Sequence, residues 1–171
     1  VFSPLGGRLA FAADKDAKTV VAVVDGKESK HYQRIEYGPM FSPDGRRYLF
    51  VARPSSAGPS ILEVDGIEIA RYDGVIVPKF CPDSKTLAYV TSSGVDGRDS
   101  TVYFNGKKVA SYMGSRVLGL ELTCTADGKR IAYQVFHGDE QNVVVDGKPG
   151  NRYRHVNDLT FSPDNNRFGY I

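Results

Sequence analysis

The residues of this chain best equipped for chemistry are three histidines (His31, His137 and His155), two cysteines (Cys81 and Cys124) and charged residues in segments rich in turn formers. Three histidines hold a metal only if they converge. His31 adjoins Tyr32 and His155 is two residues from Tyr153, both tyrosines that recur along the chain, whereas His137 stands next to Gly138 and the acidic pair Asp139 and Glu140. Their phases differ, so no metal centre is expected. Two cysteines are too few for a zinc site or a disulfide scaffold. The sequence has no Gly-x-Ser-x-Gly elbow, no His-Glu-x-x-His segment and no phosphate-cradling glycine loop. What remains is polar recognition. Arg53, Asp96, Arg98, Asp99, Arg116, His137, Asp139 and Glu140 offer guanidinium, imidazole and carboxylate groups from loop segments, where binding residues concentrate.

Those loops hang on a repeat. Phe41-Ser42-Pro43-Asp44-Gly45 is echoed by segments starting at Phe2, Phe80, Cys124 and Phe161, at spacings of 39, 39, 44 and 37 residues. An Asp-Gly or Asn-Gly pair keeps the same beat at Asp25, Asp65, Asn105 and Asp146, as does a tyrosine at Tyr32, Tyr72, Tyr112 and Tyr153. One supersecondary unit of about forty residues is copied in tandem. A group needed once for catalysis would not recur in every unit, so the repeated aspartates and tyrosines read as scaffold. The tyrosines are expected between outer strands, with the hydroxyl reaching water or a backbone group.

Each unit contains short runs of Val, Ile, Leu, Tyr and Phe bounded by Gly, Pro and Asp, which predicts strands. Pro43 and Asp44 suit a type I turn closed by a left-handed Gly45, and the later Asp-Gly pairs suit two-residue type I′ hairpins. Two hairpins in series make a four-stranded antiparallel meander, strands A to D. Strands apolar on both faces, such as Val20 to Val24, call for sheets packed against sheets. The fold class is therefore all-β, a β-propeller of four-stranded blades. The repeats span 1–39, 40–78, 79–121, 122–159 and a partial 160–171, about four and a half blades in one propeller domain. The count predicts a piece of a six- to eight-bladed propeller, an open arc, or a four-bladed ring closed by the terminal hairpin.

The pattern Phe-Ser-Pro-Asp-Gly followed by Ala-Tyr-Val resembles the WD-repeat-like propeller repeats of bacterial proteins, of the TolB type and of prolyl-oligopeptidase-like peptidases. With no Trp in the chain, the Trp-Asp pair of eukaryotic WD repeats is missing. The resemblance implies a propeller and an extracytoplasmic bacterial setting.

Lysine and arginine total 22 against 20 acidic residues, for a net charge of +2, and are mixed along the chain. No basic stripe points to nucleic acid, and no run is long enough to span a membrane. No cofactor is expected. Cys81 and Cys124 fall late in the A strands of adjacent blades, on alternate faces. Buried free thiols are favoured there over an inter-blade disulfide. The B–C loops (13–19, 53–60, 91–100 and 136–141) and the long D–A connection 113–122 share one face. Lys79, Glu121 and Asp158, near the starts of A strands, are expected to line and hydrate an axial channel. The leading expectation is a non-catalytic scaffold that binds a protein or peptide through its loop-rich face. The alternatives are the gating propeller of a prolyl-oligopeptidase-like hydrolase and a sugar- or small-ligand-binding propeller.

Overall fold

The computed structural model describes residues 1–94, 97–115, 117 and 122–171. Asp96, Arg116 and Glu121 lie outside the described residues, as do parts of the 91–100 and 113–122 connections. The described residues form antiparallel strands with no α-helix among them, in two compact units, Val1–Val75 and Ile76–Ile171.

The first unit opens with a sheet of β1 (Ala10–Asp16), β2 (Thr19–Val24) and β3 (Lys27–Glu28). Bridges from Phe2 to Leu9 and from Val20 to Tyr32 extend it on both sides. A four-stranded sheet follows, β4 (Arg34–Phe41), β5 (Tyr48–Arg53), β6 (Ser60–Val64) and β7 (Ile67–Tyr72), paired in chain order. The second unit carries two more meanders. One is β8 (Gly74–Phe80, its first two residues in the first unit), β9 (Leu87–Ser93), β10 (Asp99–Phe104) and β11 (Lys107–Tyr112). The other is β12 (Leu122–Cys124), β13 (Ile131–His137), β14 (Glu140–Val145) and β15 (Lys148–Tyr153), and a last hairpin pairs β16 (Thr160–Phe161) with β17 (Phe168–Gly169).

Both turn types form as their residues dictate. Gly45 is left-handed (φ +70°), and its amide closes the turn on the Ser42 carbonyl at 2.8 Å. At the second turn both central residues have positive φ, for example Asp65 (54°) and Gly66 (78°), as type I′ geometry requires. The Ser-x-Asp of the phrase has its own task. The Ser42 hydroxyl donates to Asp44 at 2.6 Å and accepts the Arg47 amide at 3.0 Å, and Thr125 does the same with Asp127 and Arg130.

The core lies between sheets. β6 is buried at every position because both its faces are covered. In the first unit Ala22 and Tyr32 pack on Phe50, Ala52 and Ile61 of the next sheet. In the second, Val90 and Val102 pack with Leu122, Ile131 and Tyr133. A fully buried side chain of this size stabilises by roughly 1.5–3 kcal/mol, so these interfaces dominate the fold.

Two side-chain clasps recur at the interfaces. Arg8 donates to Asp25 at 2.8 Å and to the Gly45 and Arg46 carbonyls of the next sheet, with its guanidinium 5.0 Å from the Phe41 ring centre. Arg130 repeats the arrangement with Asp146 (2.8 Å), the Asn165 carbonyl (3.0 Å) and Phe161 (5.2 Å). The second clasp is the recurring tyrosine. Tyr112 meets Tyr133 edge to face, hydroxyl to hydroxyl at 2.9 Å, and Tyr153 meets Tyr170 at 3.3 Å. Tyr32 meets Phe50, which has no hydroxyl, and bonds the buried Glu63 carboxylate instead. The Tyr32, Tyr112 and Tyr153 hydroxyls thus bond side chains of the neighbouring blade, partners that the sequence reading did not name.

The cysteines also depart from expectation. Both are buried, but they form a disulfide with Cα atoms 5.6 Å apart. Alternate faces of adjacent stacked sheets point at one another, which brings the pair within bridging range. The bridge sits where the arginine clasp is missing, since Thr86 holds the equivalent position and Cys124 replaces the aromatic ring. It closes a loop of sequence separation 43. Removing it with Cys81→Ala/Cys124→Ala is expected to cost about 2–4 kcal/mol in guanidinium unfolding. Equal stability of the variant and the oxidised protein would refute that role.

Candidate functional site

The B–C connections are tighter than the sequence suggested. β1 runs to Asp16, β9 to Ser93 and β13 to His137, because backbone pairing continues past the last apolar residue. The 136–141 loop is thus a hairpin tip. His137 pairs with Glu140 across the two-residue turn Gly138-Asp139, with Gly138 left-handed at φ +67°.

This tip is the best-defined candidate site. The His137 ring is held on both nitrogens, Nδ1 3.2 Å from the Ser115 hydroxyl and Nε2 3.0 Å from Asn142 Oδ1. Beneath it Gln134 donates to Gln141 and to the Val156 carbonyl (2.6 Å), and Gln141 donates to the Arg154 carbonyl (2.8 Å). These buried amides tie the strand tips to the following connection. Clefts open on both sides of the tip. One, about 590 Å³, lies between Phe136, Asp139, Glu140 and the exposed Arg154 and His155. The other, about 260 Å³, is lined by Arg98, Gly114, Phe136 and Gly138.

Of the residues singled out from sequence, Arg98, His137, Asp139 and Glu140 therefore gather around one tip. Arg98 and Asp139 are exposed, and Glu140 faces Arg152 at 3.4 Å. Asp99 is engaged nearby, accepting the Gly114 amide at 2.8 Å. Arg53 is in the other unit and is fully committed there. Its Nε binds Glu36 at 2.7 Å, and its Nη atoms bind the Gly58 carbonyl, Ser60 Oγ (2.7 Å) and the Asp73 carbonyl (2.9 Å). Lys79 is near the end of β8, not its start, because the strand begins at Gly74; its ammonium donates to the Leu122 carbonyl at 2.7 Å. Asp158 is exposed, ahead of β16, with φ +54°.

Sequence reading missed Gln134, Ser115 and Asn142. Gln134 did leave a signal, since it stands where the other repeats have Val51, Val90 and Ile171. Ser115 and Asn142 left none, because ordinary loop and strand positions use the same residues. Among the described residues, no group of three His, Cys, Asp or Glu side chains is placed to hold a metal ion.

No protein-family model matches this chain, and no curated protein matches it. Solved structures do. The β-propeller domain of the trilobed protease from Pyrococcus furiosus aligns with a TM-score of 0.54 and 14% identity, over 81% of this chain and 50% of that one. A prolyl endopeptidase aligns at 0.51 and 18%, over 81% of this chain and 26% of the other. TolB from Acinetobacter baumannii aligns at 0.49 and 20%, over 84% and 39%. The fold is a β-propeller fold. The chain spans half or less of the length of these three structures. Identities this low carry fold alone.

The Arg53 knot gives a prediction with a pH signature. Burial works to raise the Glu36 carboxyl, but hydrogen bonds from Ser60, Arg53 and Arg34 outweigh it and hold the group below its ordinary value. A depressed carboxyl stabilises the fold above its unfolded pKa, and that contribution fades as pH falls through the folded one. Arg53→Met is expected to lower stability by about 2 kcal/mol at pH 7, and by progressively less as pH falls through the depressed folded value of Glu36 and the carboxyl takes up a proton. Urea unfolding over a series of falling pH values checks this; a loss that does not change with pH contradicts it.

Proposed function

We propose that this chain is a non-catalytic β-propeller repeat domain that binds a protein or peptide through the rim around Gly138. The observation that carries the reading is the mix of charges presented there on a fixed support. Arg98, Asp139, Glu140 and Arg154 flank clefts on a hairpin whose base is pinned by His137 and the Gln134–Gln141 pair. Interleaved guanidinium and carboxylate groups suit a peptide carrying both signs better than a polyphosphate backbone, which calls for cations alone. Lys79 and Asp158 belong to the scaffold and its hydration in this reading.

The repeats are assigned to one propeller, of the TolB or prolyl-oligopeptidase type, on the strength of the Phe-Ser-Pro-Asp-Gly and Ala-Tyr-Val pattern. An extracytoplasmic setting is supported by the buried Cys81–Cys124 bridge, since structural disulfides persist in oxidising compartments. A second reading is the gating propeller of a prolyl-oligopeptidase-like hydrolase whose catalytic residues lie outside this chain. It is favoured by the same repeat pattern, and an α/β segment with a Gly-x-Ser-x-Gly elbow in the same gene product would establish it.

Selection of a displayed peptide library on the purified chain tests the binding reading. Enriched peptides are expected to lose at least about tenfold in affinity, or 1.4 kcal/mol, for Arg98→Ala/Asp139→Ala/Glu140→Ala with thermal stability unchanged. Peptides that bind this variant as well as the parent would exclude the rim.

A further inference from the structure

Glu63 is a carboxylate where the other repeats place Val23, Tyr103 and Val144. It is 2% exposed. Burying a charge is costly unless a counter-charge accompanies it. Yet among the described residues Glu63 makes no ion pair, and its hydrogen-bond partner is the neutral hydroxyl of Tyr32. That bond supplies what Phe50 lacks, but a tyrosine at position 50 would supply it without a buried charge, as Tyr133 does for Tyr112.

Glu63 also lines a cavity of about 470 Å³ within the first unit, a size usual for small-ligand sites. The cavity lies where the outer strand of the first sheet loses regular pairing between Glu28 and Tyr32, which bridges back to Val20. β3 has two residues, whereas β7, β11 and β15 have six each. Its walls include Ala22, Tyr48 and Phe50, and Lys27 and Lys30 also line it. Both lysines are exposed, and neither forms an ion pair among the described residues. The other lining charges are matched, Arg8 with Asp25 and Glu28 with Lys15, each at 2.8 Å. One buried carboxylate and two exposed lysines remain without an ion pair in a space lined by polar and apolar groups together.

We propose that this cavity binds a small zwitterion of the amino-acid class, its ammonium on Glu63 and its carboxylate toward Lys27 and Lys30. The ammonium provides the counter-charge that Glu63 lacks, and the Phe50 and Tyr48 rings favour a cation beside them. The aliphatic part of the ligand lies against the partly exposed Tyr48 ring. This site is independent of the rim around Gly138 and stands or falls separately.

Three isosteric probes separate the contacts: norleucine, pentylamine (norleucine without its carboxylate) and hexanoate (norleucine without its amine). In calorimetry and ligand-observed NMR on the whole chain, norleucine is expected to bind, pentylamine more weakly and hexanoate not at all. Glu63→Gln is expected to weaken norleucine at least about tenfold. Lys27→Ala/Lys30→Ala is expected to bring norleucine down to the level of pentylamine. Phe50→Tyr/Glu63→Gln restores a hydroxyl partner for Tyr32, so it should be as stable as the parent and still fail to bind. The proposal is overturned if norleucine does not bind, if pentylamine or hexanoate matches it, or if the Phe50→Tyr/Glu63→Gln protein binds like the parent.

Discussion

The inner strands β2, β5 and β6 are buried on both faces, and a sheet of short strands cannot cover both by itself. Neighbouring sheets must do it, so the fold depends on how one sheet is fastened to the next. Apolar contact supplies most of the energy but little register, because Val, Leu and Ile surfaces slide against one another. Register comes from directional contacts on the repeat beat. The Arg8 and Arg130 guanidinium groups each join a C–D turn of one blade to the A–B turn of the next. Closer to the middle of the strands, Tyr112 and Tyr153 hook onto Tyr133 and Tyr170.

Departures from the repeat make physical sense as repairs to these clasps. Phe50 has no hydroxyl, and Glu63 accepts the Tyr32 hydrogen bond in its place. Thr86 has no guanidinium and reaches only the Gly128 carbonyl, at 3.4 Å, and Cys81 and Cys124 weld the same interface covalently. Cys81 also removes the hydroxyl that the turn uses elsewhere, and Thr86 Oγ1 bonds Asp83 at 2.7 Å to replace it. At the hairpin tip by Gly138, Arg98, Asp139 and Glu140 are instead exposed to solvent.

The strands, the turn types and the stacking of sheets were legible because they follow from periodicity and from Pro, Gly and Asp chemistry, which act locally. The meander also put Arg98, His137, Asp139 and Glu140 in or beside connections between strands, but spacing alone does not give their meeting at one tip. What the sequence concealed is pairwise and long-range. Arg53 looks like any loop arginine until Glu36, Gly58, Ser60 and Asp73 are seen around it. The place of Lys79 near the end of β8 was not legible either, because the sequence does not mark where the strand begins at Gly74. The disulfide was concealed for the same reason, as facing in space follows from stacking and not from spacing.

The claim that blades are fastened by clasps on the repeat beat is tested most directly by a double-mutant cycle on Tyr112→Phe and Tyr133→Phe. Each substitution removes one hydroxyl and leaves the edge-to-face ring contact in place. A coupling energy of about 1 kcal/mol in chemical unfolding is the predicted result. Strictly additive losses, with a coupling indistinguishable from zero, would contradict the account.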